Sequence, residues 1–212
     1  MAQSSRRALI IGNTEYRELP HLIMPRADVQ EMASVLGNPD IRGFEVKLFN
    51  EKSNSLHHEI QKFLRRLKPD DTALLYFSGH GVLNDYDELF LATPDTQKEF
   101  LETTSVSLDN VLKHLDRSRS DRQILVLDCC FSGTATRAIG AKGEWALSAE
   151  KLGKGTEILA ASGAWQRAQQ TLVSDKLEEN ALSVFTYYLV EGLKTGAAAK
   201  TKNLILSRHA GS

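Results

Sequence analysis

Five short apolar runs, each closed by glycine or polar residues, constrain this chain more than any other feature. Ala8-Leu9-Ile10-Ile11 is followed by Gly12-Asn13, and Ala73-Leu74-Leu75-Tyr76-Phe77 ends at Ser78-Gly79-His80-Gly81. Ile124-Leu125-Val126-Leu127 ends at Asp128-Cys129-Cys130, and Ile158-Leu159-Ala160-Ala161 ends at Ser162-Gly163. The fifth, Phe44-Glu45-Val46-Lys47-Leu48-Phe49, alternates more. Continuous apolar runs this short suit strands buried on both faces, as in a parallel sheet.

Helical stripes stand between most of these runs. Val29, Met32, Ala33 and Leu36 follow helical spacing, with Pro25 suited to a first turn and Gly37 to an end. Leu56, Ile60, Phe63, Leu64 and Leu67 form a second stripe, stopped by Pro69. Leu108, Val111, Leu112 and Leu115 form a third, and Leu182–Leu193 a fourth. Strands alternating with helices imply right-handed βαβ crossovers and a three-layer α/β/α sandwich around a mostly parallel sheet. Asp85–Ala92 offers a small hairpin, and Asn203–Ser207 a last edge strand. Residues 131–155 and 164–181 break the rhythm, and loops this long are usually functional or disordered. The 212 residues suit one domain, expected over 1–195, with 196–212 a basic tail, frayed or truncated.

Charge excludes several classes. With 26 Lys+Arg against 27 Asp+Glu, the net charge is −1, and a pI near 6.6 carries no footprint of nucleic-acid binding. The apolar runs fall far short of the roughly 20 residues that cross a bilayer, so no membrane is expected. The start, Met1–Arg7, has no apolar stretch of a secretory signal. The two cysteines, Cys129 and Cys130, are neighbours. Adjacent cysteines close no useful loop and lack the spacing of a structural zinc site. A reducing, cytoplasmic setting is the expectation.

In open α/β sheets, ligands bind beyond the carboxyl ends of the strands. Two such ends deliver His80 and Cys130. If their strands are neighbours, imidazole and thiol face each other across one groove. A cysteine beside a histidine is a nucleophile with its general base, because the histidine stabilises the thiolate near neutral pH. Glycines around His80 allow close approach of a substrate backbone.

The strings Tyr76-Phe77-Ser78-Gly79-His80-Gly81 and Asp128-Cys129-Cys130-Phe131-Ser132-Gly133 resemble those of the caspase-like cysteine peptidases, peptidase family C14. The form is that of the metacaspases and bacterial caspase-like orthocaspases, Tyr-x-Ser-Gly-His-Gly with Asp-x-Cys-x-Ser-Gly. His80 precedes Cys130 by 50 residues, the caspase spacing. The resemblance runs from Arg7 to about Leu193 and implies a caspase-like fold.

It implies that Cys130 is the nucleophile, that His80 is base and then acid, and that the main-chain amides of Gly81 and Cys130 form the oxyanion hole. Asp28, Asp128 and Ser78 fall on the positions of a substrate pocket. Two carboxylates there favour Arg or Lys at the residue before the cut. The implied partner is a protein or peptide substrate, joined in many relatives by a sensor or regulatory domain. Basic residues in 131–155 (Arg137, Lys142, Lys151, Lys154) become candidate self-cleavage sites. No cofactor is required. Calcium activates some relatives, and Asp85 with Asp87 offers two acids, although a turn explains them as well. No EF-hand loop is present. Phe131, Pro25 and the chain after Gly192 depart from the family pattern.

Plainer readings stand beside these. Cys129 fits a small buried residue on the other face of its strand. Asp28 in a first helical turn would be favoured by the macrodipole alone. Trp165 fits a substrate loop or an aromatic packed under one. The alternative to a peptidase is a catalytically silent caspase-fold interaction or signalling module. The chain has no G-x-x-x-x-G-K-[ST], no zinc-protease spacing after His58-Glu59 and no G-x-S-x-G elbow. A receiver domain using Asp128 lacks acids after the first strand.

Overall fold

A computed structural model describes residues 4–49, 56–132, 155–161 and 181–196; the side chains of 130–132 lie outside the description. Five strands run parallel in the order β2-β1-β3-β6-β7: β1 Arg6–Gly12, β2 Glu45–Phe49, β3 Thr72–Leu83, β6 Arg122–Ser132 and β7 Thr156–Ala160. β4 (Leu89–Ala92) turns back antiparallel onto the end of β3, and β5 (Ser105–Ser107) pairs antiparallel with β4. β1 pairs with β3 only as far as Ser78, and β4 takes over from Gly81 to Leu83.

The alternation of side chains divides the apolar runs between two faces. Leu9, Ile11, Leu75, Phe77, Leu125 and Leu127 face the helices α2 (Leu56–Arg65) and α4 (Leu108–Asp116). Ala8, Ile10, Leu74, Tyr76 and Val126 face α1 (Met24–Gly37) and α5 (Val184–Thr195). This is the expected three-layer sandwich. It also explains why the runs are continuous: residues 8–12 of β1, 73–82 of β3 and 125–129 of β6 are all buried. A third cluster, Tyr16, Leu19, Val82, Phe90, Ala92 and Leu101, roofs the end of β3 under the loop after β1.

Four expectations are corrected. The strands do not stop at Phe77 and Leu127. They stay paired in register as far as Val82 and Ser132, because neighbouring backbone, not apolar character, decides where a strand ends. α1 begins at Met24, so Asp28 lies beyond its first turn and the macrodipole does not account for it. Only Leu89–Ala92 of the expected hairpin is new strand, since its other arm is the extension of β3. The intervening turn is tied by Asn84, whose side chain accepts from the amides of Tyr86 and Glu88. The fourth helical stripe forms two residues later than expected, at Val184–Thr195. β5 and the short α3 (Leu101–Thr104) had no apolar period to announce them. They are held by hydroxyls, Thr93 and Thr96 both donating to the carbonyl of Thr104. Trp165, Asn203–Ser207 and the basic residues of 131–155 lie outside the described residues.

Candidate active site

The β3–β6 ladder places His80 opposite Cys130 and, two residues earlier, Ser78 opposite Asp128. Both rungs have the parity of Tyr76 and Val126, the face covered by α1 and α5. Two strand residues span about 6–7 Å, so the Ser78–Asp128 rung lies that far inward from the His80–Cys130 rung. Cys129 has the opposite parity and is buried with Leu127 and Phe77, as expected of a structural neighbour.

His80 is held by the loop between β1 and α1. Its Nε2 lies 2.8 Å from the carbonyl oxygen of Pro20. A carbonyl only accepts, so Nε2 carries the proton and Nδ1 is left with a lone pair. Nδ1 is buried and has no hydrogen-bond partner among the described residues. Tyr16 packs its ring at 4.8 Å from the imidazole and accepts from the His80 main-chain amide at 3.1 Å. Its own hydroxyl donates to the carbonyl of Asn13. Asn13 is anchored in turn on Ala92 and Ser78. Gly79 makes this approach possible: a Cβ there would stand 2.8 Å from the Tyr16 hydroxyl. Burial first, and Lys98 to a lesser degree, push the His80 pKa down, partly opposed by the Pro20 contact. The imidazole is therefore neutral at pH 7, the state of a base.

Asp28 and Asp128 are 1% and 4% exposed. Asp28 occupies the apolar stripe of α1, one turn before Met32, so its carboxylate stands where the helix calls for a core residue. It accepts from the Ser78 hydroxyl at 3.0 Å and from the Ser183 amide at 2.8 Å. Asp128 accepts from the hydroxyls of Ser183 and Thr186. Thr186 spends its proton there, so it accepts from Tyr76. Burial, then repulsion from Asp128, raises the Asp28 pKa to about 7, against the pull of the Ser183 amide and the Ser78 hydroxyl. Ser78, Ser183 and Thr186, which donate to this pair, are neutral groups. Such a pair attracts a cation able to donate several hydrogen bonds.

The structure thus gathers Asp28, Ser78 and Asp128 into one cluster and sets His80 at the register position of Cys130. Gly81 is a ladder residue, opposite Phe131 on one side and Leu91 on the other. Sequence reasoning missed Tyr16, the Pro20 carbonyl, Tyr76, Ser183 and Thr186. Of these, Tyr76 had a local signal, as the first residue of the Tyr-x-Ser-Gly-His-Gly string, whereas Ser183 fell inside the expected fourth stripe. Among the described residues no group of three or more His, Cys, Asp or Glu is arranged to hold a metal ion, and no helix is long and apolar enough to cross a membrane.

Comparison with known proteins gives a matching family, distant curated relatives and a shared fold. The peptidase C14 family model, described as the caspase domain, matches residues 5–210. Human mucosa-associated lymphoid tissue lymphoma translocation protein 1 is 29% identical over 123 residues, covering 58% of this chain and 15% of that protein. Its mouse homolog is 28% identical over the same length, covering 58% and 14%. The chain thus spans a small part of the length of these curated relatives. Among solved structures, pro-sf-caspase-1 superposes with a TM-score of 0.59 at 16% identity, covering 91% of this chain and 71% of that one. Protein GSU0716 from Geobacter sulfurreducens gives 0.57 at 16% identity, covering 91% and 83%. At this identity the structures speak for the fold alone.

Proposed function

The chain belongs to the caspase domain family of peptidases, and from that premise we propose that it is a cysteine endopeptidase cutting after arginine or lysine. The observation that carries the proposal is the parallel register that sets His80 beside Cys130, one same-face step from Asp28 and Asp128. The Cys130 thiol loses its proton to Nδ1 of His80, and the sulfur attacks the carbonyl carbon of the substrate. The C–N bond then breaks as His80 returns the proton to the leaving amine. Water, deprotonated by the same imidazole, hydrolyses the acyl-enzyme and frees the thiol. Pro20 keeps Nε2 occupied, so one nitrogen serves throughout. The amides of Gly81 and Cys130 serve the oxyanion, where a single donor is worth roughly 3 kcal/mol.

Specificity follows from distance and charge. A substrate side chain entering beside Cys130 must extend about 6–7 Å inward to meet Asp28 and Asp128. Arginine and lysine are long enough to bridge that gap and carry the matching charge, whereas an aspartate would be repelled. The substrate is a protein or peptide. No metal or redox group enters the proposed chemistry.

Hydrolysis of fluorogenic peptides ending in Arg, Lys or Asp, with and without calcium and with Cys130→Ala as control, tests the proposal. Turnover of Arg and Lys peptides that Cys130→Ala abolishes is the expected result. Turnover only after Asp would overturn the acidic pocket. Absence of turnover for every peptide would favour the silent interaction module. One observation stands on the side of that second reading: Gly81 is paired within the ladder on both sides, so its service to an oxyanion requires these rungs to part.

A further inference from the structure

Helix α5 lies 50 residues and more beyond Cys130 in sequence, and nothing in its composition marks it for chemistry. Its first turn nevertheless meets both buried acids. The Ser183 main-chain amide donates to Asp28 Oδ1 at 2.8 Å, and the Ser183 hydroxyl donates to Asp128 Oδ2. The same hydroxyl accepts from the Thr186 amide at 3.0 Å, which makes Ser183 the N-cap of α5. Thr186, one turn on, donates to the same Asp128 oxygen at 2.7 Å. The two acids come from different elements, α1 and β6. Ser183 donates to both acids, through its amide to one and through its hydroxyl to the other.

We propose that Ser183 is a specificity-determining positioning residue: its amide and hydroxyl set the spacing and orientation of Asp28 and Asp128 for a basic substrate side chain. The proposal rests on the Arg/Lys reading above. Two like charges held close repel, and without a bridge each carboxylate turns toward its own nearest donors. Ser183 opposes that by tying each to a different atom of one residue. One Asp128 oxygen then takes both hydroxyl donors. A guanidinium, with donors in a fixed fork, is more sensitive to the mutual placement of two acceptors than a flexible ammonium. Ser183 therefore acts more strongly on arginine than on lysine.

The test compares peptides with arginine, lysine or citrulline, the neutral isostere of arginine, before the cut. Wild type is measured beside Ser183→Gly, Ser183→Ala and Ser183→Thr. Glycine is a tolerated N-cap, so Ser183→Gly removes the hydroxyl while keeping the helix start, and it carries the test if Ser183→Ala fails to fold. Expected is a fall of roughly tenfold or more in kcat/KM for arginine, the scale of one hydrogen bond to a charged group. The fall appears mainly in KM, is smaller for lysine, and leaves citrulline nearly unchanged. Ser183→Thr, which keeps the hydroxyl, recovers most of the loss. An unchanged arginine-to-citrulline ratio in Ser183→Gly, with wild type still cutting after arginine, would overturn this inference and leave the peptidase reading standing. A wild type that prefers neither basic residue would overturn the acidic-pocket reading and this inference with it.

Discussion

A carboxylate buried at 1% exposure beside a second acid is held against its own preference, and Asp28 shows what that does to the molecule. Its pKa is about 7 in the fold and near 3.9 in an unfolded chain. Between those values the folded state holds a proton that the unfolded state has lost, so stability falls as pH rises from about 4 to about 7. Asp28→Asn should therefore be more stable than wild type at pH 8, by up to about 4 kcal/mol, with the gap closing toward pH 4. Urea unfolding at the two pH values measures this; an equal difference at both would refute the buried-charge account. The same proton governs substrate. Cleavage after arginine should weaken as pH falls through about 7, because a protonated Asp28 no longer attracts a cation. A citrulline peptide should lack that limb and respond only to the lower one, set by His80, whose pKa burial pushes down. Coincident pH profiles for the two peptides would remove Asp28 from the pocket.

At the scale of elements, two glycines let helices and loops come close enough to build the site. A Cβ on Gly12 would stand 2.4 Å from Val29 Cγ1 and 2.9 Å from the Pro25 carbonyl, so the end of β1 and the start of α1 touch only because it is absent. Gly79 does the same for Tyr16 on β3. Gly12→Ala should lower stability by about 1–3 kcal/mol, the usual scale of forced overpacking, with little effect on the pH profile. Gly79→Ala should combine a similar loss with slower turnover, since it displaces the residue that holds the His80 amide. Thermal unfolding and kcat together separate the two; a Gly79→Ala enzyme with unaltered kcat would show that Tyr16 packs against His80 without positioning it.

Across the whole molecule, the sheet separates two cores that share no side chains. Leu75 belongs to the α2–α4 face and Met32 to the α1–α5 face. Leu75→Ala and Met32→Ala should each lower stability by about 2–5 kcal/mol. Their effects should add to within roughly 0.5 kcal/mol, because the sites have no common partner. Urea unfolding of the double variant decides this, and a clear departure from additivity would mean that the sheet transmits strain between its faces. The acidic cluster belongs to the second core alone. Its damage should therefore couple to Met32, one turn from Asp28 on α1, and not to Leu75.

The apolar runs and helical stripes by themselves determined the layers, the parallel sheet and the two motifs, because period and burial are local properties of a chain. His80 and Cys130 were legible for the same reason: each sits in a string of glycine and small residues directly after a recognisable strand. Asp28 was half legible, an acid in the apolar stripe of α1. Tyr16, the Pro20 carbonyl, Ser183 and Thr186 were not, because a serine that caps a helix reads alike whether or not buried acids lie across from it. Only the tertiary structure decided that β3 and β6 continue in register through the motifs. Only it brought Ser183 within hydrogen-bond reach of residues 155 and 55 positions away. Pairing partners and desolvation are properties of neighbours in space, and those neighbours exist only once the sheet has formed.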